Sequence, residues 1–384
     1  MALDLQSTLQ KLTVQTSTEH PFLSVYLDWT PEGTGQRSAP RVAERELKRI
    51  ADRLADRGAD LDSFNADRER ILEYLAREAP DDARGLAIFA CQAEGVWMPL
   101  PLQVAVENEI VEDRFPHLFN LARVLDDYEP YAVVLADAQE SRILVIALND
   151  PRTVAETEAA EEIKRFDAGG QAQMLFQRRT DNIIRAHTKD IAEELDRIIK
   201  RYDVRHVIIA GNDSIKGMVM ETLPASIKEK LIDYIHLDIT ANMQSIMEVI
   251  EPMIQKVERE QEAADAAELE DQAYPAGLGV VGVSDTAQAL SKGQVRKLLM
   301  LQSFGGAGGE CPNCGTLRAG TRLKCPYDGT EMQQVDLREA FTMRAVQQKA
   351  DVQVVAASEY LDQHEGVGAL LRYRDNEQAR AAAG

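Results

Sequence analysis

Three of the four cysteines lie between residues 311 and 325, in the runs Cys311-Pro312-Asn313-Cys314-Gly315 and Cys325-Pro326-Tyr327-Asp328-Gly329. A Cys-x-x-Cys turn closed by glycine brings two donors to one side of a tight loop, and two such turns form a zinc ribbon. Here the fourth position is Asp328. A carboxylate oxygen also ligates zinc, so Cys311, Cys314, Cys325 and Asp328 can supply three thiolates and one oxygen. That set is harder, and weaker, than four sulfurs. Four protein ligands leave no open position, so the ion would be structural. The alternative is a knuckle pair that keeps its turns and binds no metal. His364, the nearest spare histidine in sequence, is poorly spaced to serve as a ligand.

A second feature is Gly169-Gly170-Gln171, between a polar stretch and a long helical pattern. Two adjacent glycines can adopt positive φ and let the backbone approach another molecule closely. Two readings are open: a loop-to-helix junction, or an exposed tip that presents Gln171 to a reaction centre. Lys164 and Arg165 precede the tip; Arg178, Arg179, Arg185 and Lys189 follow it, opposed only by Asp167 and Asp181. On a chain of formal net charge -21, such a stripe suits local contact with a phosphate backbone. An ordinary solvated helix face is the other reading. The sequence has no Walker A loop, no Gly-x-Ser-x-Gly elbow and no His-Glu-x-x-His, and its histidines stand at no metal spacing.

The setting for these residues is a chain of 384 residues, enough for two or three domains, with 45% hydrophobic and 28% charged residues. No apolar run approaches the length of a membrane span. The start, Met1-Ala2-Leu3-Asp4, has no basic region followed by an apolar stretch. Few cysteines, mostly clustered, imply a reducing compartment. The expectation is a cytoplasmic protein with no membrane contact. The acidic balance excludes one that coats itself with duplex nucleic acid.

Periodicity predicts a mixed α/β (α+β) fold in three domains: 1–127, 128–273 with a long connecting helix, and 274–384 with the cysteine insertion at 305–332. In the first, strands are expected at 22–27, 85–90 and 96–102, and helices at 42–57 and 62–78. In the second, 132–136 and 142–147 read as a hairpin. A polar stretch follows, then a helix at 171–202, strands at 206–210 and 234–239, and a helix at 241–272. The acidic half of that last helix, 258–271, reads as a solvated connector. The third has strands at 279–283, 297–301, 352–356 and 369–373 and helices at 285–291 and 337–349, so the first two blocks and the last all mix strands with helices.

Three segments, taken in order, resemble the archaeal and eukaryotic class 1 peptide chain release factor superfamily, which includes Pelota. The run from Gly169-Gly170-Gln171 to Arg178-Arg179 is similar to the family's Gly-Gly-Gln loop and basic helix. The run from Asp285-Thr286-Ala287-Gln288-Ala289-Leu290 to Leu298-Leu299 is similar to the start of its third domain. The knuckles and Gly366-Val367-Gly368-Ala369-Leu370-Leu371-Arg372-Tyr373 are similar to that domain's close. The resemblance, to a bacterial-type member with an intact Gly-Gly-Gln, implies a peptidyl-tRNA esterase in the ribosomal A site. In that reading Gly169, Gly170 and Gln171 are the catalytic tip, and Lys164, Arg165, Arg178, Arg179, Arg185 and Lys189 bind RNA. Ribosomal RNA and peptidyl-tRNA are then the partners, with a translational GTPase docked on the third domain. The stop-codon motifs Asn-Ile-Lys-Ser and Tyr-x-Cys-x-x-x-Phe are missing from residues 1–127, which implies release or rescue without codon reading. The alternative is a non-enzymatic hibernation factor that occupies the A site.

Overall fold

The computed structural model describes residues 2–14, 20–33, 35–58, 61–148, 150–158 and 171–374. They form two compact units. One is Tyr128–Glu258 with Met1–Leu3; the other joins Asp4–Asp127 to Arg259–Gly384. The first and last stretches of the chain therefore share a unit, although the sequence pattern sets them apart as successive blocks.

The first stretch holds α1 (Ala2–Leu12), β1 (Phe22–Asp28), α2 (Ala39–Asp56), α3 (Asp62–Arg77), β2 (Gly85–Cys91), β3 (Val96–Leu102), β4 (Glu109–Asp113) and α4 (Phe119–Asp127). Its antiparallel sheet has the order β3-β2-β1-β4. Ala43, Leu47, Ile50 and Leu54 recur at helical spacing on α2 and pack on alternate residues of β1, Leu23, Val25 and Leu27. Edge strand β3 carries Pro99 and Pro101, yet its register with β2 is unbroken. β4 and α4 are not foreseen from the sequence, because five residues of EIVED and one short amphipathic turn carry too little periodicity.

The second unit holds β5 (Tyr131–Ala136), β6 (Glu140–Ala147), β7 (Asp150–Glu158), α5 (Gln171–Tyr202), β8 (His206–Gly211), α6 (Asp213–Thr222), α7 (Ala225–Lys228), β9 (Leu231–Ile235) and the start of α8 (Met243–Gln272). The sheet order is β7-β6-β5-β8-β9, with β5, β8 and β9 parallel. The expected hairpin is present. Asp137 turns it by accepting hydrogen bonds from the Gln139 and Glu140 amides, both at 2.8 Å. Alternate residues of β5 serve two cores: Ala132, Val134 and Ala136 meet α5 and α6, whereas Val133 and Leu135 meet Ile246, Ile250 and Ile254 of α8. β7 lies within the stretch expected to be polar loop. β9 lies earlier than the strand expected at 234–239 and shares only Tyr234 and Ile235 with it. Leu237 and Ile239 instead pack in the α8-facing core without joining the ladder.

The last stretch holds β10 (Gly279–Val281), α9 (Val283–Ser291), β11 (Val295–Leu301), β12 (Ala307–Glu310), β13 (Leu317–Ala319), β14 (Gln333–Asp336), α10 (Leu337–Gln347), β15 (Asp351–Val355), α11 (Glu359–Gln363) and β16 (Val367–Leu371). Its main sheet has the order β10-β16-β11-β15, and β13-β12-β14 form a separate small ribbon. The end of α8 belongs to this core and is not a bare connector. Leu269 is fully buried, and its Cδ2 would lie 2.6 Å from a Cβ placed on Gly368, so only glycine lets helix and sheet meet there. Asp265, also buried, pairs with Lys297 at 2.8 Å. Among the described residues, no helix is long and apolar enough to cross a membrane.

Candidate functional site

The Gly-Gly-Gln tip itself, Gly169 and Gly170, lies outside the described residues, as do Lys164 and Arg165. Gln171 is the first residue of α5, and its side chain is outside the description. Along the helix, Ile184, Ile191, Leu195 and Ile198 face the core. Arg178, Arg179, Arg185 and Lys189 are all exposed. At 3.6 residues per turn, positions 178, 185 and 189 fall within about 40° of one another, so they form one stripe. Arg185 reaches Glu221 at 3.9 Å and Lys189 reaches Glu193 at 3.8 Å, with all four side chains more than half exposed. Such long, solvated pairs contribute little to stability and leave the cations available to an anion. On the buried side, neither ring nitrogen of His187 has a hydrogen-bond partner among the described residues.

Cys311, Cys314, Cys325 and Asp328 come together as their spacing implies. One donor atom from each lies within 4.8 Å of every other. The two knuckles are built alike. The Gly315 amide donates to the Cys311 carbonyl at 2.8 Å and the Cys311 amide to the Thr316 carbonyl at 3.0 Å; Gly329, Cys325 and Thr330 repeat this at 3.0 and 2.8 Å. Gly315 and Gly329 sit at φ 68° and 75°, left-handed values that favour glycine. Thus Cys-Pro-x-[Cys/Asp]-Gly-Thr occurs twice, and the threonine shared by the two runs extends the repeat beyond the glycine.

The carboxylate is held in place by its neighbours. Asn313 Nδ2 donates to Asp328 Oδ2 at 3.1 Å, and the Thr330 amide donates to Oδ1 at 2.9 Å. These bonds, the Thr330 amide first, keep the Asp328 carboxyl far below its usual range. Thr316 Oγ1, 3.1 Å from Cys314 Sγ, helps bring that thiol down to about 7. Burial pushes Cys325 up to about 11. Three sulfurs and one oriented oxygen, with outer hydrogen bonds already made, fit a tetrahedral structural ion.

A third polar cluster is not visible in the sequence pattern. Glu339 of α10 is buried, and its Oε2 accepts from the Leu118 and Phe119 amides at 2.7 and 3.0 Å, at the start of α4. Its Oε1 lies 3.7 Å from His117 Nδ1, while His117 Nε2 lies 2.9 Å from Asp113 Oδ2. Burial pulls the His117 imidazole down, but the Asp113 bond and the charges of Glu339, Asp113 and Glu109 outweigh it, so its pKa stands above the ordinary value. Burial raises that of Glu339, against the pull of His117, the Phe119 amide and Arg338. The Arg338 guanidinium covers the Phe119 ring at 4.5 Å.

Residues 116–258 match the family model described as bacterial archaeo-eukaryotic release factor family 10. No curated protein matches the chain. Among solved structures, archaeal translation termination factor aRF1 is 17% identical, over 97% of this chain and 98% of that one, with a TM-score of 0.28. Archaeal Pelota, from a ribosome-bound assembly with ABCE1, is 16% identical, covering 96% and 94%, with a TM-score of 0.39. Dom34 of S. cerevisiae, described as a translation termination-like factor in RNA quality control that interacts with Hbs1, is 12% identical, covering 77% and 81%, with a TM-score of 0.41.

Proposed function

We propose that this protein is a ribosome-associated release or rescue factor that hydrolyses the peptidyl-tRNA ester without reading a stop codon. The observation that carries this reading is the release-factor family match over 116–258. That span contains Gly169-Gly170-Gln171, the exposed stripe of Arg178, Arg185 and Lys189, and the exposed Arg179 beside it. The stripe, with Lys164 and Arg165, meets ribosomal RNA phosphates in the A site and orients α5 so that its start faces the reacting ester. Gln171 then holds a water against the ester carbonyl, and its backbone N–H stabilises charge developing on oxygen. Catalysis is by positioning and electrostatic preorganisation, with ribosomal RNA completing the centre. Glycine at 169 and 170 keeps side chains out of the approach.

In the same reading the protein works in the cytoplasm, and its last stretch docks a translational GTPase. Zinc held by Cys311, Cys314, Cys325 and Asp328 fixes the ribbon and takes no part in hydrolysis. The test is peptide release from stalled ribosomes. Gln171→Ala should lower the rate about 100-fold, the cost of a misplaced reacting group, while ribosome binding persists. Equal release by both proteins, or none by either, rejects the hydrolase. Density over the A site of idle ribosomes without any release would favour the hibernation role.

A further inference from the structure

We infer that the cysteine cluster is a thiol switch in which a peroxide joins Cys314 to Cys325 and expels the metal; this rests on the zinc reading above. All four donors lie within 4.8 Å of one another, and one sulfur–sulfur contact crosses between the knuckles. Cys314 Sγ lies 3.6 Å from Cys325 Sγ, whereas Cys311 Sγ is turned to the Asp328 carboxylate, at 3.6 and 3.9 Å from its oxygens. Cys311 and Cys325 are buried, and only Cys314 is exposed. The one sulfur that an oxidant in water can reach therefore has its resolving partner in contact. An oxygen in the fourth position makes the ion easier to lose than from a site of four thiolates.

The chemistry closes without further reactants. The Cys314 thiolate attacks one peroxide oxygen, the O–O bond breaks, and hydroxide leaves, giving a sulfenic acid. The Cys325 thiolate then attacks that sulfur and displaces a second hydroxide, forming the disulfide. Two electrons pass from the sulfur pair to the peroxide. The disulfide would take two of the four donors from a bound ion and leave one thiolate and one carboxylate to hold it, a weaker set. Apart from the buried Cys311 and Cys325, the local apolar core consists of Met332 and Leu323, so after release of the ion the second knuckle is held by the new disulfide and its turn hydrogen bonds. Thiol reduction followed by zinc restores the site.

The sequence supplies a direct assay. Trypsin cuts after Lys297, Arg318, Arg322, Lys324 and Arg338, which places Cys311 and Cys314 in one peptide (298–318) and Cys325 in another (325–338). The zinc-loaded full chain is treated with hydrogen peroxide. Released metal is followed with a chromogenic chelator, and disulfides are mapped by mass spectrometry after alkylation of free thiols, with fragment ions showing whether the alkyl group sits on Cys311 or Cys314, which share a peptide. Zinc release and a Cys314–Cys325 cross-link should rise together, one per chain, and dithiothreitol with zinc should reverse both. Cys91, buried in β2, should stay reduced throughout and serves as an internal control. In Cys314→Ser, zinc release should slow at least tenfold; if that variant holds no zinc, the peptide map of the unaltered chain decides alone. A Cys311–Cys314 bond within one peptide, a Cys311–Cys325 link, or zinc retained without any disulfide overturns the switch and leaves the metal site standing. Protein that cannot be loaded with zinc at all overturns both.

Discussion

Helix α10 touches two polar structures that solve similar problems in opposite surroundings. At one end Glu339 accepts two amides of α4 and faces His117, sealed from water. At the other, Arg344 bonds the Gly315 carbonyl at 3.1 Å and reaches Glu310 at 2.5 Å, tying down the ribbon beside its half-open donor cluster. The sealed joint joins residues more than two hundred positions apart in sequence, and its charges cannot be replaced by water. The ribbon is a local insertion with little apolar core, and its four donors are grouped closely enough to hold an ion. Loss of a partner is therefore costly in the first case and local in the second. Polar groups cement both, and access to solvent decides which chemical signals each can feel.

The largest break in this comparison is Glu339→Ala. It leaves two α4 amides unbonded and the His117 imidazole without one of its two carboxylates, and should cost about 3–5 kcal/mol, as for one partner removed from a buried pair. Both tryptophans, Trp29 and Trp97, lie in the same unit as the joint. Tryptophan fluorescence in urea should therefore show the loss directly; an unchanged midpoint would mean the joint is decorative. Next in size is metal removal. A chelator should speed tryptic cleavage at Arg318, Arg322 and Lys324 several-fold while moving the tryptophan transition little. Equal cleavage with and without chelator would erase the contrast between ribbon and joint.

The smallest effect is a dependence on pH. Burial pushes the Asp67 carboxyl up to about 6, and the pKa values of His117 and Glu339 are also raised. A raised pKa means the folded state binds more protons than the unfolded one, so stability falls as pH rises through the folded value. Glu46 and Asp328, both lowered, act in the opposite sense only below about pH 4.5, where unfolded carboxylates begin to protonate. From about pH 5 to 7 the tryptophan-reported unit should lose a few degrees of melting temperature. A rise over that range would contradict the assignment of these groups.

Much of this was written in the sequence. The repeated Cys-Pro-x-x-Gly knuckles set the donor cluster, because a four-residue turn has one compact geometry and a glycine must close it. β1, β2, β5 and β8 follow from continuous apolar runs, and α5 from its periodicity. What escaped was long-range. Glu339 reads as one more acidic residue on a helix, and His117 as a solitary histidine; only the tertiary fold sets them side by side. β7 escaped because DPRTVAETE alternates weakly, and its pairing with β6 overrides that weak propensity. The acidic half of α8 looked solvated because its buried Asp265 and Leu269 are outnumbered by the charges around them.

The unbroken register of β3 past Pro99 and Pro101 has a consequence for crowded company. Antiparallel pairing there needs its donors at Met98, Leu100 and Leu102, which turns the ring nitrogens of both prolines away from β2. The outer rim of that sheet thus presents carbonyls with almost no amide hydrogens between them. An extended, unfolded polypeptide that drifts against it finds half a ladder and cannot zip on. Were the two prolines ordinary residues, the same apolar strand would be a template for any chain not yet folded, which is the company a protein keeps wherever peptides are being made.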